Sequence, residues 1–171
     1  TMEDDYGLCV WANDGHAATY QISVARPGVW KGDVSSNWHD PQNWSAGIIP
    51  NDTLDVEIPT ALFNCVVSSA GASCRNCNIL TGGQVINMNK TLTIHGDLTV
   101  NGNFYMNCAS TMAITNVMGD VTWNGNSRCI LEFGTMLNIF ENWISNPGAE
   151  VITNLGTVCF LGPENSILQL N

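Results

Sequence analysis

The chain has 171 residues, enough for one buried core, and carries 15 acidic against 5 basic side chains for a formal net charge of -10. That balance repels polyphosphate backbones and anionic headgroups, and no stretch approaches the length of a membrane span, so neither nucleic acid nor direct membrane insertion is expected as a mode of partnership. Charged residues are only 12% of the chain, so solubility rests on Asn, Thr, Ser and Gly, a profile that suits exported β-rich proteins.

Residues 1–27 end in a strand-like run, Tyr20 to Val24, followed by the Pro27-Gly28 break. They are expected to be an N-terminal strand or the tail of a preceding domain. Residues 28–64 hold Trp30, Trp38 and Trp44, half of the six tryptophans, among Gly, Asn and Pro. Rings of that size are costly to leave in water, so they form either a packed plug or a binding platform. As a platform, Trp38 and Trp44 would stack on sugar rings while Asn43 binds hydroxyls. As a plug, the three would block the open end of a repetitive fold. The segment closes on the alternation Leu54-Asp55-Val56-Glu57-Ile58, with Asp55 and Glu57 on the outward side of a strand.

Residues 65–171 show no helical periodicity, and short alternating apolar runs recur between Asn-Gly and Gly-Asp turns. Asn101-Gly102 returns as Asn124-Gly125 and then as the Pro147-Gly148 turn, while Thr91-Leu92 returns as Thr111-Met112 and Thr135-Met136. A period in the low twenties with several short strands in each repeat predicts a right-handed parallel β-solenoid with a Trp-rich N-terminal cap. Its apolar column would be Leu92, Ile94, Leu98, Val100, Phe104, Met112, Ile114, Val121, Trp123, Ile130, Leu137, Ile139 and Ile144. An antiparallel β-sandwich is the competing fold, since Asn-Gly also closes hairpins.

Seven cysteines, at 9, 65, 74, 77, 108, 129 and 159, leave at least one without a partner in the chain. The single C-x-x-C, Cys74 to Cys77, lacks the second pair that a structural zinc site wants, and His16, His39 and His95 are scattered. The expected uses are a disulfide pinning a loop, Cys65 with Cys74 or Cys77, or plain buried thiols. Cys108, Cys129 and Cys159 lie among apolar strand residues and read as core fillers.

No catalytic constellation is expected: Arg26, Lys31, Arg75, Lys90 and Arg128 do not fall at the repeat spacing, and no nucleophile elbow or phosphate loop is present. Asp97 and Asp120 do fall at that spacing, with Glu141 near the same line, so the three are either solvated corner carboxylates or oxygen ligands for calcium. No other cofactor is implied.

The pattern from Trp30 through Asn43-Trp44-Ser45, Gly47, Pro50, Asp55 and Val56-Glu57-Ile58-Pro59, followed by "GDLTVNG", resembles secreted surface and adhesin-like proteins of Bacteroidetes exported by the type IX route. Similar openings precede the β-helical passenger regions of autotransporters. The resemblance implies an extracellular or cell-surface location and a structural or adhesive role within a longer chain. Partners would be a surface glycan, a protein receptor or flanking domains. The ending Leu161 to Asn165 departs from that pattern. Asp52-Thr53-Leu54 also resembles the short O-glycosylation signal of that group, which makes Thr53 a glycosylation candidate. The alternative function is a glycan-binding module or an accessory part of a polysaccharide-active enzyme.

Overall fold

The computed structural model describes residues 5–11, 17–23, 25–108, 112–162 and 168–169, with backbone alone for 5–11, 17–23 and 168–169. Thr111, Pro163 to Asn165, His16 and the side chain of Cys9 therefore lie outside the described residues. Strand β1 (Asp5–Trp11) pairs antiparallel with β2 (Ala17–Ser23) in a sheet of their own.

The rest is a parallel β-solenoid of about five turns, each turn contributing one strand to each of three sheets. The first turn runs β3 (Val56–Ile58), β4 (Cys65–Val67), β5 (Ala72–Cys74), and the second β6 (Cys77–Ile79), β7 (Gln84–Met88), β8 (Thr91–Ile94). The third is β9 (Leu98–Val100), β10 (Asn103–Asn107), β11 (Ala113–Val117), and the fourth β12 (Val121–Trp123), β13 (Arg128–Leu131), β14 (Thr135–Ile139). The fifth is β15 (Trp143–Ser145), β16 (Glu150–Thr153), β17 (Thr157–Phe160), after which β18 (Leu168–Gln169) returns to the first sheet. Every pairing between turns is parallel, so the antiparallel sandwich is excluded. The first turn opens at Val56, inside the segment assigned to the cap from sequence.

Strand alternation sorts the side chains, because neighbouring residues leave opposite faces. Inward positions of the first sheet stack as Val56, Cys77, Leu98, Val121, Trp143 and as Ile58, Ile79, Val100, Trp123, Ser145. Leu92, Ile94, Leu98, Val100, Phe104, Val121, Trp123, Leu137 and Ile139 take the core places expected of them. Met112, Ile114, Ile130 and Ile144 do not. Met112 is 53% exposed, and the three isoleucines sit between inward neighbours, Ala113 and Thr115, Cys129 and Leu131, Trp143 and Ser145. Ala113, Thr115, Cys129 and Ser145 are small or polar and Leu131 and Trp143 large; Trp143 and Trp123 pack together in the upper core, their ring centroids 5.4 Å apart.

The outward faces differ in character. Glu57, Asn78, Thr99, Thr122 and Ile144 stack on the first sheet, and Ser73, Thr93, Asn116, Asn138 and Cys159 on the third. The second sheet presents Val66, Ile86, Tyr105, Ile130 and Ile152, an apolar row of half-buried side chains.

Candidate functional site

Below the first turn, residues 28–47 fold into a cap that continues two of the three sheets. Glu57 N–H donates to Gly28 O at 3.0 Å and Trp30 N–H to Glu57 O at 2.9 Å, which adds a short strand under β3. Val66 N–H donates to Ser36 O at 2.8 Å and Trp38 N–H to Val66 O at 3.0 Å, which does the same under β4. Backbone groups that an open end would leave unpaired are thereby satisfied. At the third sheet, the His39 ring bridges Gly71 O (2.9 Å) and Ser69 Oγ (3.1 Å).

The cap delivers its three tryptophans onto the end of the core. Trp44 stands edge-on to Trp30 at 5.0 Å and to Trp38 at 4.9 Å, and all three are at most 1% exposed. Such edge-to-face pairs add to the area term because ring edges are positive and faces negative. Trp44 Nε1 donates to Trp38 O at 2.7 Å and Trp30 Nε1 to Phe63 O at 2.9 Å, whereas Trp38 Nε1 has no partner among the described residues. Gly32, at φ +55°, lets the chain pass: a Cβ there would lie 2.4 Å from Phe63 O and 2.5 Å from Trp30 Nε1.

Asn43 is the hub that holds this loop. Its Oδ1 accepts from Val34 and Ser35 N–H, and its Nδ2 donates to Ser35 Oγ at 2.9 Å and Asn37 O at 3.1 Å. Asn43, Trp38 and Trp44 are all 0% exposed. The sugar platform expected of these three residues is therefore corrected: no ring face or amide is left for a ligand, because each is consumed in closing the core. Thr53 stands on the exposed surface, its Oγ1 donating to Asn51 Oδ1 at 2.8 Å.

Residues 29–132, the cap and the turns above it, match the family model described as "Domain of unknown function (DUF8693)". The chain belongs to this DUF8693 family. No curated protein and no solved structure matches it.

The part matched to DUF8693 also contains the cysteine cluster and most of the acidic corner. Cys65, Cys74 and Cys77 point inward from the second, third and first sheets, and all are free. The expected disulfide among them is corrected: each thiol serves as a small apolar member of its own column, under Val85, under Ile94, and between Val56 and Leu98. Burial pushes the Cys65 thiol well up, with the neighbouring Cys77 adding to it. A hydrogen bond with Cys77 and then burial push Cys74 up in the same way, and burial alone raises Cys129. Cys129 is a core filler as expected, whereas Cys108 and Cys159 are only partly buried, Cys159 on the outward face of the third sheet.

The corner between the third and first sheets carries a polar ladder. Arg75 clamps Asp55 through Nε and Nη2, and Asn76 Nδ2 donates to Asp55 Oδ1 at 2.9 Å. Above them Asp97 N–H donates to Asn76 Oδ1 at 2.8 Å and Asp120 N–H to Asp97 Oδ1 at 2.8 Å. Asn142 then donates to Asp120 Oδ1 from both its backbone N–H and its Nδ2. Asp97 and Asp120 do stack as the spacing predicts, but Asn142 occupies the next place and Glu141 faces solvent. Among the described residues no group of three or more His, Cys, Asp or Glu side chains is placed to hold a metal ion. The calcium expectation for Asp97, Asp120 and Glu141 thus lacks its cage, because the first two carboxylates are used as acceptors for the backbone of the turn above.

Sequence reasoning missed one buried polar pair. Asn87 takes an inward place on β7, where Nδ2 donates to Ile114 O (2.8 Å) and Thr115 Oγ1 (3.0 Å). An Asn at an apolar-pattern position, "QVINM", was the available signal.

Proposed function

We propose that this chain is a noncatalytic structural or adhesive module of a secreted or cell-surface protein, in which the solenoid holds its faces in fixed register and the cap closes one end. The observation that carries the reading is the complete burial of Trp30, Trp38 and Trp44. Their rings contribute to folding and none is offered to a ligand, which favours a scaffold whose partners meet its broad outer faces. The resemblance of the opening to Bacteroidetes surface proteins supports the extracellular placement. Reduced cysteines are compatible with that placement, since buried thiols of raised pKa are poor partners for thiol–disulfide exchange.

Acrylamide quenching of tryptophan fluorescence tests the reading, using a Trp11→Phe background so that the signal comes from the solenoid and its cap. Blue-shifted emission, weakly quenched and indifferent to a panel of plant, host and microbial glycans, is expected. Red-shifted emission that one glycan protects from quenching would replace the scaffold with a glycan-binding module. Placement is tested separately by labelling intact cells of the native host with a membrane-impermeant biotin reagent; absence of label on the full-length protein rejects a surface location.

A further inference from the structure

Three successive turns carry the same side chain at the corner between the first and second sheets. Asn124 Nδ2 donates to Asn101 Oδ1 at 3.0 Å, and Asn146 Nδ2 donates to Asn124 Oδ1 at 2.8 Å. All three are half-buried. What differs is the residue that follows: Gly102, Gly125 and Pro147.

That difference matters chemically. The backbone nitrogen after an asparagine can attack the side-chain carbonyl carbon if it carries a proton to lose, is not held by another acceptor, and belongs to a peptide free to swing. Pro147 has no N–H, so Asn146 is inert. Neither Gly102 nor Gly125 donates its N–H to a protein acceptor among the described residues. Gly102 is buried and clamped on the turn below, where a Cβ would meet Gly83 O at 2.3 Å and Leu80 O at 2.4 Å. Gly125 is exposed, in a turn closed by Ser127 N–H donating to Asn124 O at 3.0 Å, and a Cβ there would meet only Pro147 O, at 2.8 Å. Asn146 Nδ2 also donates to the oxygen on which negative charge builds during attack at Asn124 Cγ, the placement of an oxyanion donor.

We propose that Asn124-Gly125 is a self-modifying site, at which the folded chain converts Asn124 through a cyclic imide to aspartate and isoaspartate while sparing Asn101 and Asn146. The Gly125 N–Cγ bond forms as the Cγ–Nδ2 bond breaks, and Nδ2 leaves as ammonia with the proton from Gly125. Water then adds across one of the two imide C–N bonds. The product has no donor for Asn101 Oδ1, so the ladder parts between the third and fourth turns.

The test is incubation of the folded protein at mildly alkaline pH, followed by peptide mass mapping and isoaspartate detection, in parallel with the protein in denaturant. In denaturant Asn101 and Asn124 both convert. In the folded protein conversion is expected at Asn124 with loss of it at Asn101. No conversion at Asn124, or equal conversion at the two sites in the folded state, overturns the proposal. An Asn146→Ala variant is expected to slow conversion at Asn124; an unchanged or faster rate removes Asn146 from the reaction.

Discussion

At the scale of single residues, the protein spends its largest side chains on closing itself. Trp44 touches both other cap rings and anchors the Trp38 carbonyl, so Trp44→Ala should cost about 3–5 kcal/mol, read as a fall in denaturant midpoint. A midpoint unchanged from wild type would mean the plug is not part of the cooperative unit. The buried thiols make a second prediction. Their folded pKa values lie above that of an unfolded cysteine, about 8.5. Below that value both states hold the proton and stability is unaffected; above it the unfolded chain ionises while the core does not, so stability falls as pH rises. Urea titrations at neutral and strongly alkaline pH should show that fall, diminished by Cys65→Ser or Cys129→Ala once their own destabilisation at neutral pH is subtracted. Iodoacetamide should correspondingly leave Cys65, Cys74, Cys77 and Cys129 unlabelled until the protein is unfolded.

At the scale of strands and corners, repetition and alternation do different work, and only one of them is plain in the amino-acid string. The ladder corners follow from side chains that tolerate a turn and bond to their own kind above and below, so Asn101 and Asn124, Asp97 and Asp120 announce themselves by spacing. The face each strand residue takes depends instead on the register of three-residue strands, where a shift of one inverts every side chain. Ile130 reads as core until Cys129 and Leu131 are seen to hold the inward places, and Ile144 until Trp143 does. The plug expected of Trp30, Trp38 and Trp44 is what forms, but composition alone did not decide it against the platform, because a ring that plugs and a ring that binds have the same residues around them; the burial of Asn43 had no signal at all. The foot of the acidic ladder carries an electrostatic prediction. Hydrogen bonds from Arg75 lower the Asp55 pKa most, partial burial works against them, and the Arg75 charge and Asn76 add to the lowering. The contribution is complete above the ordinary aspartate value of about 3.9 and is lost as pH falls through the lowered one. Thermal melts from neutral pH into that acid range should therefore flatten in Asp55→Asn relative to wild type; identical acid profiles would show the pair to be idle.

At the scale of the whole molecule, each turn touches only the turns on either side, so stability accrues along one axis and can be lost from an end. Removal of the cap should be felt first in β3, β4 and β5. Hydrogen exchange of Trp44→Ala is expected to show protection declining from that end, with β15, β16 and β17 changed least; uniform loss across all turns would mean that the stack melts as one block. The intervals between equivalent residues, 20 from Cys65 to Val85 and 25 from Phe104 to Cys129, are unequal, yet the ladders remain unbroken. Corners absorb the difference. Length is accordingly a discrete quantity here: duplicating one complete turn would extend the stack by about 4.8 Å and leave every other contact as it was, whereas a single residue inserted into a strand would turn its core face to water. Such a chain can be lengthened by copying and hardly at all by slipping, so gains and losses of whole turns are the changes its architecture lets inheritance keep.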